Sequence, residues 1–133
     1  MGAAGTAIGL VDTDVLIEAA RGIWDAKAFL NDQRISGGIH ISAVSAMELL
    51  VGCRDAAALT RTQQFLSQAI EVPLTPAATW IARQLMLKFH LSHGLLIPDA
   101  LIVATALEHG LPLFTRNIRH FRAIPDLVAA APY

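Results

Sequence analysis

Short apolar runs that alternate with longer helix-like segments constrain this chain most. Residues 8–11 and 111–115 are largely apolar runs of strand length, and residues 39–41 and 70–72 alternate between apolar and polar side chains. Because two parallel strands need a long crossover connection, usually a helix, this alternation predicts a parallel α/β sandwich. The length fits one domain, so we expect residues 1–133 to form a single domain.

Capping residues and glycines set the predicted helix boundaries. Ser42 is a natural N-cap, and Gly52 ends the segment that follows it. That segment, residues 43–51, is apolar all round, which places it inside the protein or at a subunit interface. The predicted helices cover residues 13–21, 24–33, 43–51, 55–69, 75–89 and 98–109, and a last short edge strand is predicted at 127–128.

The composition excludes several classes of protein. Apolar residues make up 54% of the chain and charged residues 16%, the opposite of a disordered composition. The net charge of −1 excludes a generally basic nucleic-acid coat, and the single cysteine, Cys53, cannot close an intrachain disulfide. No charge-free apolar run reaches the ~18 residues of a spanning helix, and the first residues lack a basic signal-peptide start. We therefore expect a cytoplasmic protein without membrane contact, with an apolar oligomer interface.

Four carboxylates stand where charges are rarest. Asp12, Asp14, Glu48 and Asp99 each lie in an apolar stretch that contains no lysine or arginine. Burying an unpaired carboxylate is costly, so isolated acids in core-type segments need a partner. A divalent cation shared by Asp12, Glu48 and Asp99 supplies one, and oxygen-only ligands suit Mg²⁺ or Mn²⁺ better than zinc.

The predicted elements bring these acids to one edge of the sheet. Asp12 ends a strand, Glu48 lies on a helix that follows another strand, and Asp99 falls in the first turn of its helix. Each acid also has a purely structural interpretation. Asp12 and Asp99 suit a helix cap and a first-turn acid, and Ser45 with Glu48 fits a capping box. Because three isolated acids occur together in the three most apolar segments, a shared metal is favoured over three independent structural roles.

The same residues carry a resemblance to a known family. Residues 10–17, 42–52, 98–102 and 113–121 resemble, in order and spacing, the four motifs of PIN-domain nucleases, and more narrowly of toxins of the VapBC toxin–antitoxin type. The resemblance extends from about residue 8 to residue 124. The family's opening motif matches the segment around Asp12, its second the segment around Glu48, and its third the segment around Asp99.

The resemblance implies a fold, an activity and partners. The implied fold is a three-layer α/β/α sandwich, and the implied assembly is a homodimer. The implied activity is Mg²⁺- or Mn²⁺-dependent RNA cleavage, blocked by a cognate antitoxin, with Asp12, Glu48 and Asp99 as metal ligands and Asp14 in support. Asn117 stands where the family often has a further acid, and an amide adds no negative charge, so the number of catalytic metals stays open.

Hydroxyl and basic side chains complete the candidate site. Thr13 and Thr115 have hydroxyls suited to holding carboxylates or phosphate, although each also suits a helix cap. Arg116, Arg119 and Arg122 lie in a stretch without acids, which fits either RNA phosphate contacts or a solvated face. In this interpretation a metal held by Asp12, Glu48 and Asp99 would lower the pKa of a bound water and so supply a nucleophile for hydrolysis of a phosphodiester.

A phosphatase is the enzymatic alternative. Residues 11–15 also resemble the nucleophile motif of haloacid-dehalogenase-like phosphatases, in which Asp12 would be phosphorylated and Asp14 would act as acid and base. That family needs a later lysine and usually a late acidic pair, whereas this chain has only Lys27 and Lys88 and its Asp99 stands alone.

A binding module is the alternative from another class. An inactive PIN-like domain would hold RNA or a partner without cutting it, and Asn117 is the feature that favours this interpretation.

Overall fold

The sheet is short and entirely parallel. The computed structural model describes residues 7–133, and within them five strands pair in the order β3-β2-β1-β4-β5. The strands are β1 (Leu10–Val11), β2 (His40–Ser42), β3 (Ile70–Val72), β4 (Leu113–Phe114) and β5 (Ala129–Ala130).

Seven helices occupy the described part of the chain between and around these strands. They are α1 (Thr13–Ala20), α2 (Trp24–Ser36), α3 (Ala43–Val51), α4 (Ala56–Gln68), α5 (Pro76–His93), α6 (Ile97–His109) and α7 (Ile118–Phe121).

Side chains of alternate strand residues enter two separate cores. Leu10 packs with apolar residues of α5 and α6, whereas its neighbour Val11 packs with apolar residues of α1 and α2. Successive strand residues point to opposite faces, so each face of the sheet is covered by a helical layer. Helix α3 contributes to both cores, through Val44 on one side and Ala46 on the other. The predicted three-layer α/β/α sandwich with a parallel sheet is therefore confirmed.

The strand order determines where a site forms. The chain proceeds from β1 to β2 and β3 in one direction and adds β4 and β5 on the opposite side of β1. The loops that follow β1 and β4 therefore diverge at the carboxyl edge between these two neighbouring strands. In open α/β sheets such a switch point is the usual place for a site.

Several element boundaries differ from the sequence prediction. Helix α5 continues to His93, where Gly94 ends it in the left-handed conformation, rather than stopping at residue 89. The short helix α7 was not predicted, and β5 lies two residues beyond the predicted 127–128 strand. Helix α3 is buried only in its first half, since Met47 is 52% and Val51 86% exposed. The prediction that this helix lies entirely inside the protein is therefore wrong. The alternative, that its exposed half forms a subunit interface, stays a prediction.

None of the helices in residues 7–133 combines the length and the apolarity that crossing a membrane requires.

Close packing of β1 on β4 predicts that Gly9 does not tolerate a side chain. A Cβ at Gly9 would lie 2.5 Å from Phe114 Cε2 and 2.8 Å from the Pro112 carbonyl oxygen. We expect Gly9→Ala to lower the free energy of unfolding by about 1–3 kcal/mol, measured by urea denaturation. Gly52→Ala is the matched control, because its Cβ meets ordinary contacts at 3.5 Å, and it should change stability by less than about 1 kcal/mol. Equal effects of the two substitutions would contradict this packing.

Candidate active site

Asp12 lies at the switch point and is nearly buried. It follows β1 and is the N-cap of α1, where its Oδ1 accepts a 2.8 Å hydrogen bond from the backbone N of Thr13. Its Oδ2 accepts a 2.8 Å hydrogen bond from the Thr115 hydroxyl, which follows β4. The side chain is thus fixed from two neighbouring strands, and Asp12 is only 9% exposed.

Asp14 lies one position into α1 and shares the hydroxyl of Thr115. Its Oδ2 accepts a 3.1 Å hydrogen bond from the backbone N of Arg116 and lies 3.4 Å from Thr115 Oγ1. Its Oδ1 is shielded from solvent and has no hydrogen-bond partner within the described residues. Because a buried carboxylate oxygen is rarely left unpaired, this atom fits a site that takes a cation or a water.

Burial is the largest cause of the shifted pKa values of Asp12 and Asp14. Burial, followed by the negative charge of Asp14, raises the pKa of Asp12 from 3.8 to about 6, although the Thr115 and Thr13 hydrogen bonds oppose the shift. Burial also raises the pKa of Asp14, although the hydrogen bonds from the backbone N of Arg116 and the Thr115 hydroxyl oppose this shift. The ionised forms are therefore costly until positive charge is supplied.

Glu48 reaches this edge of the sheet from α3. Its Oε1 accepts a 2.7 Å hydrogen bond from the Thr13 hydroxyl, and the residue is exposed. The alternative of a capping box at Ser45 is wrong, because Ser42 is the N-cap and accepts a 3.0 Å hydrogen bond from the backbone N of Ser45. Glu48 is the sixth residue of the helix and therefore has no capping role there.

Asp99 lies in the first turn of α6 and has two partners. Its Oδ2 is 3.4 Å from the backbone N of Leu96 and 3.3 Å from Nε2 of His120. The first contact supports the helix start, as the structural interpretation of Asp99 predicts, and its role as a metal ligand stays a prediction. No chemical role was predicted for His120, although it lies within the fourth motif, residues 113–121. That place in the motif is the signal that could have identified it.

The four acids lie around one edge of the sheet. Asp12 and Asp14 share Thr115, Glu48 bonds to the residue between them, and the charge of Asp99 contributes, as the smallest cause, to the raised pKa of Asp12. No three His, Cys, Asp or Glu side chains among residues 7–133 form a group arranged to hold a metal. The donor set consists of carboxylate oxygens, and with the unpaired Asp14 oxygen it fits a hard divalent cation in chemistry.

The expectation that all these acids are buried is wrong. Asp12 is buried, Asp14 is partly buried, the Asp99 side chain is 28% exposed and Glu48 is exposed. Glu48 lies in the second half of α3, beyond the buried residues Val44, Ser45 and Ala46. It is therefore exposed even though its neighbours in the sequence are apolar.

The predicted RNA-contacting arginines divide into two groups. Arg116 is held within the chain, because its guanidinium stacks on the ring of Tyr133 at 4.6 Å and lies 3.6 Å from Glu18. The exposed side chains of Arg119 and Arg122 make no hydrogen bond or ion pair within residues 7–133.

Asn117 lies next to the carboxylates through its backbone. Its backbone N donates a 3.0 Å hydrogen bond to Thr115 Oγ1. Its side chain lines a shallow open groove with His93, Arg119 and His120. The groove adjoins the acids, because His120 also contacts Asp99.

Comparison with known proteins agrees with the observed fold. Residues 9–127 match the family model described as PIN domain, and this chain belongs to that family. Among similar proteins, Ribonuclease VapC10 of Mycobacterium tuberculosis is 36% identical over 119 residues, 89% of each chain. Ribonuclease VapC19 of the same organism is 34% identical over 121 residues, 89% of this chain and 95% of that one.

A solved structure extends the comparison. A chain in a toxin–antitoxin complex from Klebsiella pneumoniae aligns with a TM-score of 0.77 and 31% identity, covering 94% of this chain and 98% of that chain.

The raised pKa of Asp12 predicts how stability depends on pH without metal. Because the folded pKa of about 6 exceeds the ordinary 3.8, the native state holds the proton more tightly than the unfolded state. The carboxyl should therefore lower the free energy of unfolding progressively as pH rises from about 4 to about 6, by about 3 kcal/mol in total, with no further change above. Urea denaturation of metal-free wild type and Asp12→Asn across this range tests it, since the variant minus wild-type difference should grow with pH. A constant or shrinking difference would contradict the burial of an ionisable Asp12.

Proposed function

We propose that this protein is an endoribonuclease that depends on Mg²⁺ or Mn²⁺ and acts as the toxin of a toxin–antitoxin pair. The observation that carries the proposal is the buried Asp12 carboxylate, fixed at the switch point beside Asp14 and flanked by Glu48 and Asp99. Family membership and the similarity to proteins named ribonucleases support the choice of RNA phosphodiesters as substrate.

The acids have distinct roles in the proposed reaction. Asp12, Glu48 and Asp99 would hold the metal, which when bound supplies an activated water and charge stabilisation at the phosphate. Asp14, through its unpaired oxygen and its shared contact with Thr115, orients Asp12 or a water next to it. Asn117 contributes no charge where an acid is frequent in the family, so we propose no particular number of metals.

RNA is held by positive side chains beside the acids. Arg119 and Arg122 are exposed and without ion-pair partners among the described residues, so they are suited to phosphate contacts. Arg116 has a different role in this proposal, because its side chain is engaged with Tyr133 and its backbone holds Asp14.

The family match does not favour the haloacid-dehalogenase-like alternative, which also leaves Glu48 without a role. An inactive RNA- or partner-binding module stays the second candidate because of Asn117. The two candidates differ in whether RNA is cut when Mn²⁺ is added.

The proposal includes two protein partners. A cognate antitoxin fits the negative site, since a cationic side chain can pair with these carboxylates in place of the metal. The toxin–antitoxin complex of the Klebsiella pneumoniae relative supports such a partner.

A homodimer is supported by exposed apolar residues, among them Leu87 and Leu91 one turn apart on α5. Sedimentation equilibrium should give twice the chain mass, and a monomer at all concentrations would exclude the dimer.

Removal of any metal ligand should abolish cleavage. We expect Asp12→Asn, Glu48→Gln and Asp99→Asn each to lower the rate of RNA cleavage by about 100-fold or more, because each removes a charged ligand. EDTA should have the same effect on the wild type. Cleavage of total RNA, with mapping of the new ends, is the measurement.

Exposed acids that make no contact with the four site carboxylates provide the control. Asp32→Asn and Glu71→Gln remove exposed carboxylates and should leave the rate unchanged. Full activity in EDTA, or in any of the three ligand variants, would exclude the assignment.

The antitoxin should be a small protein encoded beside this one. We expect its Arg or Lys to enter the acidic site, so co-expression should yield a stable complex with suppressed cleavage. Substitution of that basic residue by Ala should restore cleavage at least in part. The protein should slow growth when it is expressed in its natural host without the antitoxin. Normal growth, although the protein is folded and abundant, would contradict the toxin role.

A further inference from the structure

A chain of hydroxyl groups leads from the start of α3 to Glu48. Ser42 and Ser45 are both 0% exposed. Ser42 Oγ lies 3.3 Å from Ser45 Oγ, Ser45 Oγ lies 2.8 Å from Thr13 Oγ1, and Thr13 Oγ1 lies 2.7 Å from Glu48 Oε1. Three hydroxyls from two helix starts thus form one continuous path that ends at a carboxylate.

The protons in this path can be assigned from the ends inward. An ionised carboxylate only accepts, so the single proton of Thr13 is donated to Glu48. Thr13 then accepts from Ser45, because its own proton is committed. At the other end, Ser42 Oγ already accepts from the backbone N of Ser45, and its proton faces Ser45 Oγ. All the donors therefore point towards Glu48.

Such a one-way chain fixes the position of the last acceptor. Hydrogen bonds in a row polarise one another, and a bond to a charged acceptor is stronger than a neutral one. Glu48 is exposed and lies on a long, flexible side chain, so it loses rotamer freedom when it is held in place. The buried hydroxyls supply that restraint before any ion binds.

We infer that Ser45 is a positioning residue, which acts through the Thr13 hydroxyl to hold Glu48 ready for a divalent cation. This inference rests on the proposed function, because it assumes that Glu48 is a ligand. It gives a role to a residue whose hydroxyl is not needed for the helix cap, since Ser42 fills that position.

Calorimetric titration with Mn²⁺ alone tests the inference without RNA or turnover. We expect Ser45→Ala to weaken Mn²⁺ binding by about 10-fold, the size of effect typical for outer partners of metal ligands. In the Glu48→Gln background the same substitution should cause no further loss, because the residue through which it acts is no longer a charged ligand. Ser67→Ala, which removes an exposed serine hydroxyl on α4, is the matched control and should leave the affinity unchanged.

A second pair of variants covers the case in which Ser45→Ala does not fold. Thr13→Val removes the hydroxyl with little change in shape and should reproduce the 10-fold loss. Thr13→Ser keeps the hydroxyl and should retain the affinity of the wild type.

The outcomes separate this inference from the proposed function. A loss on Glu48→Gln without a loss on Ser45→Ala would overturn the inference and leave the metal site standing. An undiminished Ser45→Ala effect in the Glu48→Gln background would do the same, since Ser45 would then act by another route. Absence of Mn²⁺ binding by the wild type, or equal binding by Glu48→Gln, would overturn both.

Discussion

The burial of the Asp12 carboxylate at the end of the central strand is the constraint on which the site depends. The group is held by the first backbone N–H of α1 and by the Thr115 hydroxyl, yet burial and Asp14 still raise its pKa to about 6. Two hydrogen bonds are thus not enough to offset the cost of the charge. The cation that we propose would remove that cost, and its binding would connect the stability of the fold to the proposed activity.

The parallel sheet places the site by bringing the ends of three strands together. Asp12, Ser42 and Thr115 end or follow β1, β2 and β4, which are neighbours in the sheet. The Asp12 and Thr115 side chains are hydrogen-bonded to each other, and the Ser42 side chain is hydrogen-bonded to Ser45 of α3. The polar side chains at the carboxyl ends of these strands are therefore paired. The cores on either face hold these strand ends in register, and the site therefore rests on rigid elements rather than on a long loop.

The sequence predicted the features that depend on local pattern. Apolar runs followed by helix signals were sufficient for the layers and for the parallel sheet, and Ser42 was correctly identified as an N-cap. The places of Asp12 after a strand and of Asp99 in a first helical turn also followed from local signals. Features that depend on contacts between distant segments were missed. The exposure of Glu48 and the contact of His120 with Asp99 are set by tertiary packing, which no single segment encodes.

Anomalous X-ray diffraction at the manganese absorption edge, on crystals soaked in Mn²⁺, tests the central claim most directly. The account predicts an anomalous peak at the carboxyl edge of the sheet, within coordination distance of an Asp12 oxygen, with Glu48 and Asp99 turned towards it. Crystals of Asp12→Asn prepared in the same way should lack this peak. A peak bound elsewhere, or one that persists unchanged in Asp12→Asn, would contradict the claim that the buried carboxylate is the centre of a metal site.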